Sequence, residues 1–252
     1  MASEEAVEER IENLYRLSVV LPAYNEEGNI GSMLADVISM VETITSDYEI
    51  IVVDDGSRDR TASIVAGLAQ DHPQIRLIQH QVNRGYGAAL YTGFTGSRKD
   101  LVFITDSDRQ FVLDELNDLL PMMDGADIVA GYRAPRRDPF HRVLFGWGWS
   151  MVVALLFGYT ARDIDCAFKL FRREIMDHIE IESRGATFSA EFLVRAKRRG
   201  YTVREVPVTH RPRLTGSPTG ARLDVITRAF RELIRFRLRL WTEGRATTEG
   251  IR

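Results

Sequence analysis

Cysteine is almost absent from this chain of 252 residues, in which Cys166 is the single example. No disulfide framework can form within the chain, and the composition fits a reducing compartment. The start is acidic, with five glutamates among the first twelve residues, which excludes a secretory signal, because such a signal needs a basic start and an apolar run. We therefore expect a cytoplasmic protein.

Long uncharged runs are scarce as well, although residues 143–161 form one run of nineteen residues without a charge. This length is just sufficient to span a bilayer. Three glycines interrupt the run, Ser150 lies at its middle, and charged residues flank it closely. We favour a helix that packs on the protein or lies in the membrane interface over a membrane span.

Two kinds of motif are missing. No G-x-G-x-x-G follows the first predicted strand, residues 17–21, which disfavours an oxidoreductase that binds a dinucleotide. None of the five histidines lies in a motif at the end of a strand. We interpret His72 and His80 as surface or strand-end residues and His210 as the neighbour of a loop. The sequence instead offers carboxylates and arginines.

Alternating strand and helix patterns occupy most of the chain. Apolar runs that predict buried strands alternate four times with helical patterns, which is typical of an α/β protein with a mostly parallel sheet covered on both faces. The predicted strands are residues 17–21, 48–53, 75–78, 101–104, 127–130 and 201–208. This length corresponds to one larger α/β domain, or to one domain with a tail.

Two carboxylates follow the fourth predicted strand, at Asp106 and Asp108, and Gln110 comes two residues later. Ligands of open α/β sheets bind at the carboxyl ends of the strands, and side chains two residues apart on an extended backbone point the same way. Oxygen ligands of this kind suit Mg²⁺ or Mn²⁺, which grip substrate phosphates. A simple turn is the alternative, because Asp and Ser are common turn residues.

Positive charge is concentrated near the end of the chain, where residues 211–239 contain eight arginines against only Asp224 and Glu232. This asymmetry favours an anionic partner such as a membrane surface, a phosphate or a nucleic acid. Residues 221–241 predict an amphipathic helix with arginines opposite its apolar face. It is either an interfacial helix or an ordinary helix packed on the domain.

Seven motifs in order resemble the family-2 glycosyltransferases with the GT-A fold, nearest to dolichyl-phosphate mannose synthases and dolichyl-phosphate glucosyltransferases. The resemblance implies a GT-A domain, a Rossmann-like and mostly parallel sheet with helices on both faces, over about residues 17–220. It leaves an acidic extension at residues 1–16 and a basic amphipathic helix with a tail at residues 221–252. The motifs are residues 22–26, 53–59, 83–89, 106–110, 131–133, 163–169 and 205–208.

The resemblance also implies roles for individual residues. Asp54 would accept hydrogen bonds from the base of a nucleotide sugar, and Glu26 from its ribose. The full implied donor site comprises Pro22, Ala23, Tyr24, Glu26, Asp54, Gly87, Asp106, Ser107, Arg213 and Ser217. The implied metal ligands are Asp106, Asp108 and Gln110, and Arg133 and Arg142 would bind an acceptor phosphate.

Some positions depart from the family pattern. Pro218 replaces the lysine that often follows Gly-Ser in the donor loop, so contact with the diphosphate passes in our interpretation to Arg211 or Arg213. The sequence Cys-Ala-Phe at residues 166–168 stands where the family has Ser-Gly-Phe, which leans toward the glucosyl-type members.

Several residues keep two interpretations. Asp163 or Asp165 is a catalytic base if the acceptor is a hydroxyl, and otherwise part of a structural turn. Cys166 is interpreted as a packed residue. The glycines in Gly85-x-Gly87 bind phosphate or allow close helix–strand packing. Glu191 is interpreted as a helix residue that faces the site.

The leading hypothesis is an inverting glycosyltransferase that moves mannose or glucose from a GDP- or UDP-sugar to a polyprenyl phosphate at the cytoplasmic membrane face. Asp106, Asp108, Arg133 and Asp163 would form its catalytic group with Mg²⁺ or Mn²⁺. Membrane attachment would use the final helix, residues 143–161 or a small anchoring partner, and a homo-oligomer is possible. The alternatives are transfer to a non-lipid hydroxyl and a non-catalytic nucleotide-sugar-binding subunit. Nucleic acid is not expected, because no motif supports it.

Overall fold

A mixed sheet is the centre of the computed structural model, which describes residues 15–134, 140–212 and 223–249. Within these residues the sheet has seven strands in the order β3-β2-β1-β4-β6-β5-β7, and β6 alone runs antiparallel to its neighbours. The strands are β1 Leu17–Ala23, β2 Tyr48–Asp54, β3 Ile75–Gln79, β4 Leu101–Ile104, β5 Ile128–Arg133, β6 Lys169–Arg172 and β7 Val203–Val208.

Helices cover both faces of this sheet. They are α1 Ile30–Glu42, α2 Thr61–Asp71, α3 Tyr86–Gly96, α4 Leu116–Leu119, α5 Phe140–Phe157, α6 Ile175–His178, α7 Phe188–Arg198 and α8 Leu223–Glu249. In β1, Val19 belongs to the core cluster on one face and Val20 to the cluster on the other. Both faces of the central strands are therefore buried, which explains their continuous apolar sequences.

The repeated strand–helix units predicted from sequence are confirmed, and one strand was missed. The predicted strands include none between residues 130 and 201, whereas Lys169–Arg172 forms β6 between β4 and β5. Leu170 packs into one core cluster and Phe171 into the other. A strand of four residues is too short to be distinguished by periodicity alone.

Two helices differ in their bounds from prediction. α5 covers Phe140–Phe157 rather than residues 143–161, and α8 continues to Glu249 rather than ending near Trp241. At the start of α1, Asn29 makes no side-chain capping bond, and its side-chain amide donates to Glu26 Oε2 at 2.6 Å.

The final helix α8 packs one stripe into the domain. Leu233, Phe236 and Leu240 are buried in the same cluster as residues of α3 and α7. No helix in the described ranges is both long and apolar enough for a bilayer crossing. The predicted boundaries at residues 16/17 and 220/221 stay predictions.

Candidate active site

The carboxyl ends of β1, β2 and β4 lie side by side at one edge of the sheet, because these strands are parallel neighbours. The register pairs Ala23 with Asp54 and Val20 with Ile104. The loops after these strands therefore share one edge. The sequence-predicted residues that lie there are Pro22, Ala23, Tyr24, Glu26, Asp54, Asp106, Ser107 and Asp108.

Hydrogen bonds join the loop after β1 to the loop after β2. Asn25, with φ 55°, donates from its backbone N to Ser57 Oγ at 2.8 Å, and its side-chain oxygen accepts from Arg58 N at 2.8 Å. The backbone N of Glu26 donates to Thr61 Oγ1 at 2.8 Å. The loop at residues 22–26, called here the nucleotide loop, is thus joined to the segment after β2 by three hydrogen bonds.

Asp54 is fully buried at the end of β2. Its Oδ1 accepts from Ser57 N and its Oδ2 from Gln79 Nε2, both at 3.0 Å. These bonds hold the Asp54 carboxylate in place beside the loop after β2. Its role toward a nucleotide base stays a prediction.

Asp55 organises the loop after β3 through contacts that sequence reasoning missed. Its Oδ1 lies 2.7 Å from His80 Nδ1 and accepts from Arg84 N at 2.9 Å, while Oδ2 accepts from Gly85 N at 2.8 Å. The other ring nitrogen of His80 lies 3.0 Å from Thr92 Oγ1. His80 follows β3 as expected, but it is buried and is not a surface residue.

The segment at residues 83–88, called here the glycine loop, contains two glycines that are required for steric reasons. Gly85 has φ +98°, which favours glycine. A Cβ on Gly87 would lie 2.4 Å from Gly185 O and 2.7 Å from Phe188 Cβ. Close packing therefore explains Gly87, and its contact with a nucleotide sugar stays a prediction.

The two carboxylates after β4 face different partners. Asp106 Oδ1 accepts from the Tyr86 hydroxyl at 3.0 Å, and Asp108 Oδ1 accepts from Gln110 N at 3.2 Å. Ser107 Oγ donates to Pro22 O at 2.8 Å and so ties this loop to β1. Desolvation and the Asp106 carboxylate raise the pKa of Tyr86 well above its ordinary value, so the phenol stays protonated.

Gln110 connects residues 105–110, called here the carboxylate loop, to the segment after β7. Its Nε2 donates to Arg211 O at 2.8 Å, and Arg211 N donates to Gln110 O at 2.7 Å. The side-chain amide oxygen of Gln110 is then the atom that it can offer to a cation. Arg211 lies just before residues 213–222, which contain the predicted donor residues Arg213 and Ser217 and lie outside the described residues.

The donor atoms at Asp106 and Asp108 fit a hard divalent cation, since both are carboxylates that follow one strand. Among the described residues, no group of three or more histidines, cysteines, aspartates and glutamates is suited to hold a metal ion. A cation bound here would complete its coordination with water and phosphate oxygens, as Mg²⁺ commonly does.

Arg133 ends β5 at the same edge of the sheet and is held by Asp163. Its Nε and Nη2 donate to the two carboxylate oxygens of Asp163, both at 2.7 Å, and both side chains are largely buried. A bidentate pair of this kind fixes the plane of the guanidinium. The side chain of Arg142, the second predicted phosphate ligand, lies outside the described residues.

The turn that carries Asp163 is built around a buried lysine. Lys169 Nζ donates to Ile164 O at 3.0 Å and also to Cys166 O. Burial lowers the pKa of Lys169 and raises the pKa of Cys166 to about 11. Cys166 is therefore a packed thiol rather than a thiolate nucleophile, whereas Asp165 is exposed.

Residues 18–180 match the family model described as glycosyl transferase family 2. The chain belongs to this family. A dolichyl-phosphate beta-glucosyltransferase of Trichomonas vaginalis is 36% identical over 213 residues, which cover 75% of this chain and 62% of the relative. A dolichyl-phosphate hexose transferase of Haloferax volcanii is 34% identical over 206 residues, which cover 78% of this chain and 83% of the relative. The family 2 chain thus spans under two thirds of the Trichomonas protein.

Solved structures confirm the GT-A fold of this family 2 protein. Glucosyl-3-phosphoglycerate synthase from Mycobacterium tuberculosis, in complex with Mn²⁺, UDP and glucosyl-3-phosphoglycerate, matches with a TM-score of 0.66. The match covers 88% of this chain and 78% of that chain at 20% identity, so it shows the fold alone. The resemblance predicted from the ordered motifs is therefore confirmed by the family model, the relatives and the fold.

Sequence reasoning missed three contacts at this edge of the family 2 domain. They are the Asp55–His80 pair, the hydrogen bond from Tyr86 to Asp106 and the pairing of Arg133 with Asp163. Each joins residues at least twenty positions apart. Most of these residues lie in the sequence motifs given above, but the motifs do not show which residues meet.

Proposed function

We propose that this protein transfers a hexose, mannose or glucose, from a GDP- or UDP-sugar to a polyprenyl phosphate, with inversion at the anomeric carbon. The observation that carries the proposal is the meeting of Asp106 and Asp108 with the nucleotide loop at one sheet edge, where Arg133 also ends β5. The names of the dolichyl-phosphate relatives support the acceptor class.

The donor would lie along the loops after β1, β2 and β4. Asp54 and Glu26 would accept hydrogen bonds from base and ribose, and Ser107 holds the carboxylate loop against β1 for this purpose. A divalent cation at Asp106 and Asp108 would act as a Lewis acid that stabilises the leaving diphosphate. The Mn²⁺ in the solved mycobacterial complex supports a divalent cation.

The acceptor phosphate would bind near Arg133. A phosphate monoester is already anionic at neutral pH, so it needs orientation more than deprotonation. The bidentate pair with Asp163 fixes the plane of the Arg133 guanidinium and would orient it toward the acceptor phosphate. Asp163 then positions the guanidinium, rather than acting as a base.

We also propose that the protein lies at the cytoplasmic face of a membrane through an apolar surface on α5 and α8, the α5–α8 surface. The two helices pack through Trp149 with Phe230, at a ring distance of 5.8 Å, and Phe157 with Phe236, at 4.9 Å. Exposed large apolar residues on these helices are Leu144, Trp147, Met151, Leu155, Phe230, Ile234, Leu238 and Trp241. Exposed arginines on α8 at positions 228, 231, 235 and 237 complement anionic lipid headgroups.

The decisive experiment incubates the protein with a panel of GDP- and UDP-sugars and Mn²⁺, with and without a short polyprenyl phosphate. We expect lipid-linked sugar from one donor. Asp106→Asn should lower the transfer rate at least ~100-fold, because it removes a negatively charged ligand of the cation. Asp118→Asn, which changes an exposed carboxylate within α4, is the matched control and should keep full activity.

Other outcomes would redirect the proposal. Slow hydrolysis of one donor without any effect of the lipid would keep the nucleotide-sugar site and reject the polyprenyl acceptor. Binding of a nucleotide sugar without turnover in any mixture would favour the non-catalytic subunit. No binding and no turnover with any donor would reject the proposed function.

A further inference from the structure

Residues 182–187, called here the bridging segment, touch the glycine loop at the candidate active site. Arg184 O accepts a hydrogen bond from Ala88 N at 2.9 Å. The backbone of the two segments is so close that a Cβ on Gly87 would lie 2.4 Å from Gly185 O. The position of the bridging segment therefore limits where the glycine loop can lie.

The opposite side of the bridging segment contacts α8. Thr187 Oγ1 lies 3.3 Å from Ala229 O and 3.1 Å from Glu232 Oε2. At the other end, Arg239 Nη1 donates to Glu182 Oε2 at 2.5 Å. The same six residues thus lie between the final helix and the edge of the sheet that carries the candidate site.

Glu191 of α7 lies at the centre of these contacts and is fully buried. Its carboxylate accepts hydrogen bonds from Ser183 N at 2.9 Å, Glu182 N at 3.3 Å and Arg195 Nε at 2.8 Å, and Arg239 Nη2 lies 3.8 Å away. Burial raises the pKa of Glu191, but the hydrogen bonds outweigh it, and the pKa lies below its ordinary value. A charged carboxylate thus holds the backbone where the bridging segment begins.

The glycine loop in turn reaches the predicted metal ligands. Tyr86 lies between Gly85 and Gly87, and its hydroxyl donates to Asp106 Oδ1. A shift of the glycine loop would therefore move the Tyr86 hydroxyl relative to Asp106. The contacts thus connect α8 to Asp106 through the bridging segment and the glycine loop.

We propose that Glu191 and Arg239 are positioning residues for the donor site, which act by holding the bridging segment against the glycine loop. The effect on catalysis rests on the proposed function, whereas the effect on the loop does not. The final helix is then part of the active-site support as well as a surface helix.

The test compares Arg239→Ala with wild type by hydrogen exchange of the full chain without substrate. We expect faster exchange in the bridging segment and at the Ala88 amide of the glycine loop, with the core strands unchanged. Glu182→Gln removes the charge of the partner and should reproduce the change if Arg239→Ala folds poorly. Arg198→Ala, an exposed arginine at the end of α7, is the matched control and should leave exchange unchanged.

The steady-state constants for the donor provide a second measurement, which should not change if Arg239 only stabilises the fold. The donor KM should rise about threefold to tenfold in Arg239→Ala with a smaller change in kcat, as expected for loss of a half-exposed ion pair within a network. Arg239→Lys should restore part of the loss. Hydrogen exchange at the Ala88 amide that is unchanged in both Arg239→Ala and Glu182→Gln would overturn the proposal. If wild type uses no donor, the proposed function fails, while the exchange result still decides the loop coupling.

Discussion

Adjacent residues at this site have separate tasks because their side chains leave the backbone in different directions. Asp54 holds Ser57 and Gln79 beside the nucleotide loop. Asp55 binds His80 and the backbone of the glycine loop. A sequence of two aspartates cannot show this division, because both residues have the same chemistry and their partners other than Ser57 lie 25–29 positions away.

Two glycines allow a matched test at the scale of single residues. Gly87→Ala would place a methyl group against Gly185 O and should destabilise the fold by about 1–3 kcal/mol and lower donor turnover, because backbone must move. Gly67→Ala in α2 meets no atom within 4 Å and should stabilise by about 0.5–1 kcal/mol through helix propensity. Urea unfolding of both variants measures the difference. Equal effects of both substitutions would contradict this steric account.

At the scale of elements, α8 has one buried stripe and one exposed apolar stripe. Leu233, Phe236 and Leu240 pack into the core, whereas Ile234 and Leu238 are more than half exposed. Sequence analysis left open whether this helix is packed on the domain or lies in a membrane interface. The packed stripe is established by the structure, and the interfacial role of the other stripe is our proposal.

Substitutions in the buried stripe and in the exposed stripe of α8 should have opposite effects on stability and on membrane binding. Leu233→Ala should cost about 2–5 kcal/mol in urea unfolding, because it removes buried apolar volume. Ile234→Ser combined with Leu238→Ser should change stability by no more than about 1 kcal/mol, yet weaken sedimentation with anionic liposomes. Liposome binding that is the same for wild type and the double variant would reject the α5–α8 surface as the contact with the bilayer.

For the whole molecule, several carboxylates are more acidic when folded than when unfolded. Hydrogen bonds from Lys99 and Arg16 lower the pKa of Asp47. At Glu191, burial raises the pKa, but hydrogen bonds from Ser183 and Arg195 lower it more. Such groups stabilise the fold above their unfolded pKa, and the stabilisation is lost as the pH falls through the folded value.

Stability should therefore fall as the pH drops below the ordinary carboxyl values of 3.8–4.5. The urea midpoint measured from neutral to acidic pH checks this expectation. Glu191→Gln should reduce the loss of stability at acidic pH, because the variant lacks one of the carboxylates that take up a proton on unfolding. A midpoint that stays constant down to about pH 3 would contradict the assignment of these carboxylates.

The sequence by itself determined the α/β class, the order of the first four strand–helix units and the placement of Asp106 and Asp108 after a strand. These features depend on periodicity and on residues close together in the chain, which sequence patterns record directly. Tertiary structure decided the insertion of β6, the Asp55–His80 pair, the support of Arg133 by Asp163 and the bridging segment. These features join residues far apart in the chain, and only the folded arrangement of strands and helices determines which of them meet.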